Sequence, residues 1–478
     1  MNTAFSISPR LEELYRILTE AEKREISRYL NASYFNRQRP LELLHRYFTS
    51  TAAREGYDKH LAWKAAFEGQ AFNEKKFRYL VSDLIAAIED FIYTTNMLKQ
   101  RPGYVQLLND FFTTREAVLN KSSLENWVKS KKSGNEQLVS PQYYLEDYYG
   151  AELLEDLYSA SRKNYSRYIA ENRKGQAGGL DAFYVIEKLR QMCQVANDNN
   201  VFGFNMKCYY QPQVLQMLTA KGIKDNLLVQ AYYSVYELLT RKEESSFYRL
   251  KKLIQQHGYD IDYSNMAGIF TYARNFCISR VNAGQSNFFN ELFDLYEEGL
   301  EKGILLVNGE INEQNYKNIV TTALRTRQYE WANDFINDYR YKLNKKVRDN
   351  AFNYNMANYL FHTTKYDKVP QYLQKVQLAD LFYGLDARSL MIKCYYETDE
   401  KEAFMNAYQS FRIFVQRRKN VSEQHRRNYL NFLRFAKLLM NLRPRNKAAV
   451  TKLAEQINSA KAIADKSWLV EKVKAFET

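Results

Sequence analysis

Proline and glycine are scarce in this chain, and that scarcity limits the possible folds more than any other sequence feature. The 478 residues include 7 Pro and 17 Gly, too few to supply the turns that many short strands would need. The intervening segments carry apolar residues at helical spacing. The clearest case follows Asn73, where they recur at Phe77, Leu80, Val81, Leu84, Ile85, Ile88, Phe91 and Ile92. We therefore predict an all-α protein.

Composition places the chain among ordinary globular proteins. Hydrophobic residues make up 45% of it and charged residues 26%, which is far from the composition of disordered chains. The first residues lack the basic and apolar segments of an export signal, and no stretch of about 18 uninterrupted apolar residues occurs. The four cysteines are widely separated. We expect a cytoplasmic protein with reduced thiols and no membrane span.

Polar, proline-containing and glycine-containing stretches suggest the division of the chain. Residues 129–141, KSKKSGNEQLVSP, have no apolar stripe and indicate a linker or loop. A second break is expected at 171–179, ENRKGQAGG. The predicted regions are a helical N-terminal region at 1–128, that linker, a middle helical region at 142–225, and helix-hairpin repeats at 226–478 that include a basic C-terminal module at 412–452.

Within the last region, helix pairs align on five short turns. The turns lie in LLTRKEESSFYRL, VNAGQSNFFNELF, LRTRQYEWANDFI, HTTKYDKVPQYL and YETDEKEAFMNAY, and the matching second-helix positions are Ser246, Phe289, Ala332, Val369 and Ala403. These positions are 43, 43, 37 and 34 residues apart. A step of that length fits two antiparallel helices and their connections, which form the repeating unit of an α-solenoid.

The repeats resemble the tetratricopeptide-repeat family over roughly residues 226–460. In QYEWANDFI, Tyr329, Ala332 and Ile336 stand where that family places aromatic, small and bulky residues. KYDKVPQYL repeats the pattern with Tyr366, Val369 and Leu373, and Ala357 matches the small residue of a first helix. The first-helix Trp and Leu-Gly of the family are missing. The resemblance implies a stack of helix hairpins that binds peptides or proteins; related arrays bind single-stranded RNA.

Signatures of common catalytic and cofactor sites are absent from the sequence. There is no GxxxxGK[ST], GxGxxG, GxSxG or HExxH motif. Residues 175–179, GQAGG, follow a polar segment rather than a strand, so we interpret them as a loop and not a phosphate cradle. Glu42 and His45 form a single ExxH, which we interpret as a surface or interface pair because a di-iron site needs two. We therefore predict no catalytic, cofactor-binding or metal-binding residue and no enzymatic activity.

Two further groups of residues allow a structural or a functional interpretation. Glu152, Glu155 and Asp156 could share a helical face for acid chemistry or metal binding, but solvated surface charge explains them as well. The chain also contains 39 Tyr and 28 Phe. Their rings could pack between helices or could stack on nucleic-acid bases.

Most of the net positive charge lies near the C-terminus. Residues 401–478 hold 17 Lys or Arg against 6 Asp or Glu, so they account for 11 of the 14 net positive charges. Tyr429, Phe432, Leu433, Ala436, Leu439 and Met440 would lie on the packed side of one helix. The candidate polyanion-binding residues are Arg417, Arg418, Arg426, Arg427, Arg434 and Lys437.

Three interpretations of this charge remain open. It could be solvated, it could bind nucleic-acid phosphates, or it could dock an acidic protein or a lipid surface. The predicted function is a non-enzymatic adaptor or scaffold that binds a protein or peptide through the helical repeats. The alternative is a nucleic-acid-associated factor that contacts phosphates through the basic C-terminal helices.

Overall fold

A computed structural model describes residues 7–36, 38–50, 57–100, 139–159, 165–377, 381–418, 421–442, 447–460 and 462–476. It divides the chain into two compact units. The N-terminal unit comprises residues 1–133 and 145–179, and the C-terminal unit comprises residues 134–144 and 180–478. Because neither unit corresponds to the four predicted regions, that division of the chain stays a prediction.

The N-terminal unit begins with five described helices whose starts are visible in the sequence. They are α1 (Pro9–Ile17), α2 (Glu20–Asn31), α3 (Arg39–Thr49), α4 (Lys59–Ala66) and α5 (Glu74–Gln100). Ser8 caps α1, with Pro9 at its first position. Thr19 and Glu22 form a capping box at α2. Asn73 Oδ1 accepts a hydrogen bond from the Lys76 amide at the start of α5.

Helix α5 is the element against which this unit packs, since α1, α2 and α3 all contact it. The apolar stripe predicted after Asn73 is its buried face: Phe77, Leu80, Val81, Leu84 and Ile88 are buried, whereas Ile92 is exposed. Leu11, Ile26, Leu44 and Trp63 complete the same cluster. The predicted amphipathic helix is confirmed.

The two helices that follow span both units. They are α6 (Pro141–Ser159) and α7 (Tyr165–Phe202). The predicted break at 171–179 is wrong, because these residues lie inside α7. None of their glycines has the positive φ that a turn would require. The unit boundary nevertheless falls at 179/180. Most of the predicted linker, residues 129–138, lies outside the described residues.

The C-terminal unit is built from pairs of helices joined by short turns. Its further helices are α8 (Gln211–Met217), α9 (Leu227–Arg241), α10 (Glu244–His257), α11 (Tyr263–Asn282), α12 (Phe288–Glu301), α13 (Glu313–Arg325), α14 (Tyr329–Tyr339), α15 (Arg348–His362), α16 (Val369–Leu373), α17 (Leu381–Glu397), α18 (Lys401–Arg417), α19 (Glu423–Met440), α20 (Lys447–Ser459) and α21 (Lys466–Lys474). Short 3₁₀ turns, Arg340–Lys342 and Tyr366–Lys368, follow α14 and precede α16.

Consecutive helices pack as pairs, and the first helix of each pair also packs on that of the next. The pairs are α9/α10, α11/α12, α13/α14, α15/α16, α17/α18 and α19/α20. First-helix contacts join α9 to α11, and join α13, α15, α17, α19 and α21 in order. Between α11 and α13, the Arg274 guanidinium donates a hydrogen bond to Asn315 Oδ1 at 2.8 Å. This arrangement is the helix-hairpin stack of tetratricopeptide-repeat-like folds. The all-α prediction and the resemblance are confirmed at the level of the fold.

A small β-hairpin interrupts the helical structure of the stack between α12 and α13. Strands β1 (Leu306–Val307) and β2 (Glu310–Ile311) are antiparallel. Asn308 and Gly309 form the turn, both with positive φ, as a type I′ hairpin turn demands. The residues VNGE contain this signal, which our helical interpretation passed over.

All five predicted turns between paired helices are present. Each contains one residue in the left-handed conformation: Lys242, Gly284, Arg327, Thr364 and Asp399. In the last four, the next amide donates to the carbonyl five residues earlier, as Lys365 does to Leu360 at 2.9 Å. That bond defines the Schellman motif, which satisfies carbonyls at a helix end.

The second-helix positions that align on the turns differ in burial. Ser246, Ala332 and Val369 are fully buried. Phe289 and Ala403 are only half-buried, whereas the preceding Phe288 and the following Phe404 are fully buried. Alignment on the turns therefore does not fix which residue at the start of each second helix is fully buried.

Candidate functional site

Helix α19 presents the basic surface, and its two faces are divided as the sequence predicts. Phe432, Leu433, Ala436 and Leu439 are buried. Tyr429 and Met440 are half-buried, and Arg427 and Arg434 are exposed. The helix that carries these basic side chains is held in place because its apolar face packs on α17, α18 and α21.

Some of these basic residues line a groove formed by α18, α19 and α20. Its volume is about 600 Å³, and its lining is Tyr408, Arg434, Lys437, Leu438, Asn441, Leu442, Ala449, Lys452, Leu453 and Gln456. The lining holds three cations and no carboxylate. Lys437 Nζ lies 5.2 Å from the centre of the Tyr408 ring, a cation–π distance that fixes the ammonium at one wall. We call this the basic groove.

Arg426, another predicted binding residue, has a structural contact. Its guanidinium donates to the carbonyls of Gln416 at 3.2 Å and Arg418 at 3.0 Å. These carbonyls lie at the C-terminal end of α18, where the helix leaves acceptors without intrahelical partners. The positive charge also complements the helix dipole. Arg426 therefore caps α18.

The end of α18 also brings together two arginines that lie far apart in sequence. The guanidinium carbons of Arg388, on α17, and Arg418 lie 4.4 and 5.1 Å from the centre of the Phe414 ring. The Nε of Arg388 is buried and has no hydrogen-bond partner in the described part of the chain. Arg418 was predicted from the sequence as a polyanion-binding residue. Arg388 was not, because it lies outside the basic module.

Arg417 and Arg427, the remaining predicted residues, are exposed. Neither forms an ion pair among the described residues. The structure thus distributes the six candidates over three environments: the basic groove has Arg434 and Lys437, the end of α18 has Arg418 and Arg426, and solvent surrounds Arg417 and Arg427.

A polar seam joins α13, α17, α19 and the start of α21. Asp386 pairs with Lys317 and accepts a hydrogen bond from the Tyr429 hydroxyl. Asp465 accepts from Lys393 Nζ at 2.9 Å and from Ser389 Oγ at 2.6 Å. Burial alone would raise the pKa of Asp465, but Lys393 and Ser389 outweigh it and lower the pKa. Both carboxylates are paired, so the seam connects helices.

Glu42 and His45 belong to the core, so the surface alternative of the surface-or-interface prediction is wrong. His45 is fully buried. Its Nδ1 lies 2.5 Å from the Tyr15 hydroxyl, and its Nε2 lies 3.0 Å from the Lys23 carbonyl. Burial lowers the pKa of His45, so the ring is held neutral. With both nitrogens engaged, it packs rather than binds metal.

The other chemical candidates have structural environments as well. The Glu155 carboxylate pairs with Arg173 at 2.9 Å, and the Tyr148 hydroxyl donates to Glu152. Cys193, Cys277 and Cys394 are buried. Burial raises the pKa of the Cys394 thiol to about 12. Among the described residues, no cluster of three His, Cys, Asp or Glu could hold a metal ion.

Aromatic side chains mostly pack between helices where the structure describes them. The rings of Phe247 and Phe276 stack with centres 5.4 Å apart, and both contact Phe288. The Tyr316 hydroxyl reaches the Ile336 carbonyl at 2.6 Å. These contacts follow the packing interpretation of the aromatic residues.

A second groove lies against the C-terminal half of α7. Its volume is about 550 Å³ and its lining is Asn197, Asn200, Val201, Leu238, Leu239, Lys242, Tyr272, Asn275, Phe276, Ile278, Ser279, Arg280, Asn282 and Ala283.

No helix in the described ranges combines the length and apolar character needed to cross a membrane.

Comparisons with known proteins identify no family for this chain. No protein-family model matches the sequence, and no curated protein matches it. A chain in the crystal structure of the APC/C hetero-tetramer Cut9-Hcn1 is similar over 98% of this chain and 90% of that chain, with 11% identity and a TM-score of 0.29. The fold assignment is supported by the helix pairs of this protein itself.

Proposed function

We propose that this protein is a non-enzymatic adaptor that binds a segment of a partner protein on its helix-hairpin stack. The observation that carries the proposal is the basic groove. Its lining includes the apolar residues Leu438, Leu442 and Ala449 and the cations Arg434, Lys437 and Lys452. A segment with alternating apolar and acidic side chains would match both parts.

The unpaired state of the cations supports binding rather than stabilisation of the fold. Ion pairs elsewhere in this unit are well formed, as between Lys251 and Glu291 at 2.6 Å. The groove cations have no ion pair with any described carboxylate, and Leu438 is 43% exposed beside them. A partner would bury the leucine and neutralise the charges together.

A direct test measures the fluorescence anisotropy of a labelled peptide of alternating leucine and glutamate. We expect the variant Arg434→Glu/Lys437→Glu/Lys452→Glu to bind it at least about tenfold more weakly, because each lost or reversed charge removes a favourable contact. The matched control is Arg412→Glu/Arg417→Glu/Arg427→Glu, which changes the net charge equally at exposed positions. Equal loss in both variants, or no binding by the wild type, would contradict the groove.

The nucleic-acid alternative predicts a different pattern in the same variants. Arg417 and Arg427 are exposed and available for phosphate contact. Because phosphate contacts are electrostatic and independent of nucleic-acid sequence, basic residues both inside and outside the groove would contribute to the affinity. If labelled single-stranded RNA or duplex DNA binds, both triple variants should lose affinity alike. The slope of log affinity against log salt should fall by roughly one for each contact removed. That result would favour nucleic acid over a protein segment.

A further inference from the structure

We infer that Arg388 and Arg418 form a binding site for one phosphate dianion at the end of α18. The site is separate from the basic groove and does not depend on the proposed function. Its components are two guanidinium groups on one aromatic ring, a buried Nε without a described partner, and the lack of an ion pair between either arginine and any described carboxylate.

The geometry brings two positive charges together without compensation. Both guanidinium carbons lie within 5.1 Å of the Phe414 ring centre, so the charges are no more than about 10 Å apart, roughly one Debye length at 0.1 M salt. Each charge is attracted by the ring, but the two repel each other. Burial and then Arg418 lower the pKa of Arg388. An anion between them would remove that repulsion.

Arg426 strengthens the local positive potential and stays in place. Its guanidinium is bonded to the Gln416 and Arg418 carbonyls, so it cannot swing out to bind a large ligand. It also orders the backbone that carries Arg418. The site therefore has two arginines without an ion pair among the described residues, near a third that is held by hydrogen bonds, an arrangement suited to a compact oxyanion.

The charge and the access favour a phosphate group. Two unpaired guanidinium groups match the double negative charge of a phosphomonoester or free phosphate better than a single carboxylate. Arg388 is half-buried, and Arg418 is exposed. A terminal phosphate can reach both, whereas a nucleic-acid phosphodiester is shielded by its sugars and carries one charge.

The test is thermal unfolding of the full chain in inorganic phosphate and in sodium chloride at equal ionic strength. A ligand that binds the folded state raises the unfolding temperature in proportion to the logarithm of its concentration above Kd. We expect this rise in the wild type and in the control Arg417→Gln. Arg388→Gln and Arg418→Gln should lose the rise while unfolding in chloride within a few degrees of the wild type.

Several outcomes would overturn the inference. These are an equal response of all four proteins, no response of the wild type, and an equally large response to acetate. O-phosphoserine tests the source of the phosphate. If it stabilises the wild type at lower concentration than inorganic phosphate, a phosphorylated side chain is the ligand; if only inorganic phosphate acts, the site takes the free ion.

Discussion

Of the five turns between paired helices, four hold a non-glycine residue in the left-handed conformation, and three of these four also have the Schellman hydrogen bond. Arg327, Thr364 and Asp399 have φ of 63°, 59° and 52°, where a Cβ crowds the backbone at a cost of roughly 1–2 kcal/mol. Thr364 is the most strained of them because it is β-branched. Hydrogen bonds of the Schellman motif and the packing of both helices hold these turns in shape.

Thr364→Gly should therefore stabilise the protein by about 0.5–1 kcal/mol, since relief of backbone strain exceeds the entropy that glycine adds to the unfolded chain. The neighbouring Thr363→Gly is the control. Thr363 has φ of −94°, so this change should only destabilise. Urea unfolding of both variants gives the comparison, and stabilisation by neither would show that the turn is unstrained.

His362, at the end of α15, should make stability depend on pH. Burial, followed by the charges of Arg325 and Lys393, lowers its pKa from 6.5 to about 4. Between these values the unfolded chain takes up the proton first, so stability falls as pH decreases. The slope from this group is at most about 1.4 kcal/mol per pH unit.

His362→Gln should flatten that dependence, because the variant has no proton to take up at this position. Free energies of unfolding from urea titrations, measured across pH 4 to 6.5, provide the test. His60, which is exposed, gives the control His60→Gln and should leave the slope unchanged. An identical slope in the wild type and His362→Gln would mean that His362 is not protected from protonation.

At the scale of the helix, the adjacent residues Arg426 and Arg427 differ in their contribution to stability at the end of α18. Arg426 donates to two carbonyls of α18, whereas Arg427 is exposed. Arg426→Met, which keeps the apolar stem, should cost about 1–2 kcal/mol of stability through the lost hydrogen bonds.

Arg427→Met is the matched control and should change stability by less than about 0.5 kcal/mol. Thermal and urea unfolding would report both values. If Arg426→Met were equally harmless, the cap would contribute nothing and Arg426 would return to the set of residues available for binding.

Helix starts and helix faces were predictable because they depend on neighbours in sequence. Ser8, Thr19 and Asn73 cap helices through side chains that reach two or three residues ahead. The buried face of α19 follows from helical spacing alone. The glycines at 175–179 were misleading, since glycine permits a turn without requiring one and the backbone around them stays helical.

At the scale of the whole molecule, the repeat register depends on contacts that no local pattern specifies. Apolar residues occupy several adjacent positions near the start of second helices, as in NFFN and EAFM. Which of them is fully buried depends on how each second helix meets its neighbours. Phe288 and Phe404 take those positions, each one residue away from the position that aligns on the turn.

Division into units is also a property of the tertiary structure. The boundary at 179/180 falls within the continuous helix α7. A domain limit inside a helix leaves no loop signal in sequence, because every residue across it keeps helical hydrogen bonds. The polar and glycine-rich composition of residues 171–179 suggested a loop, but these residues are helical.

The sequence by itself determined the helical class, the hairpin turns, the caps and the place of the charge, since each arises from residue type and short-range spacing. The tertiary structure decided which charges are available. It assigned Arg426 to a helix end, brought Arg388 to Arg418 from 30 positions away, and placed Lys452 beside Arg434. These outcomes depend on distances between separate helices, which only packing sets.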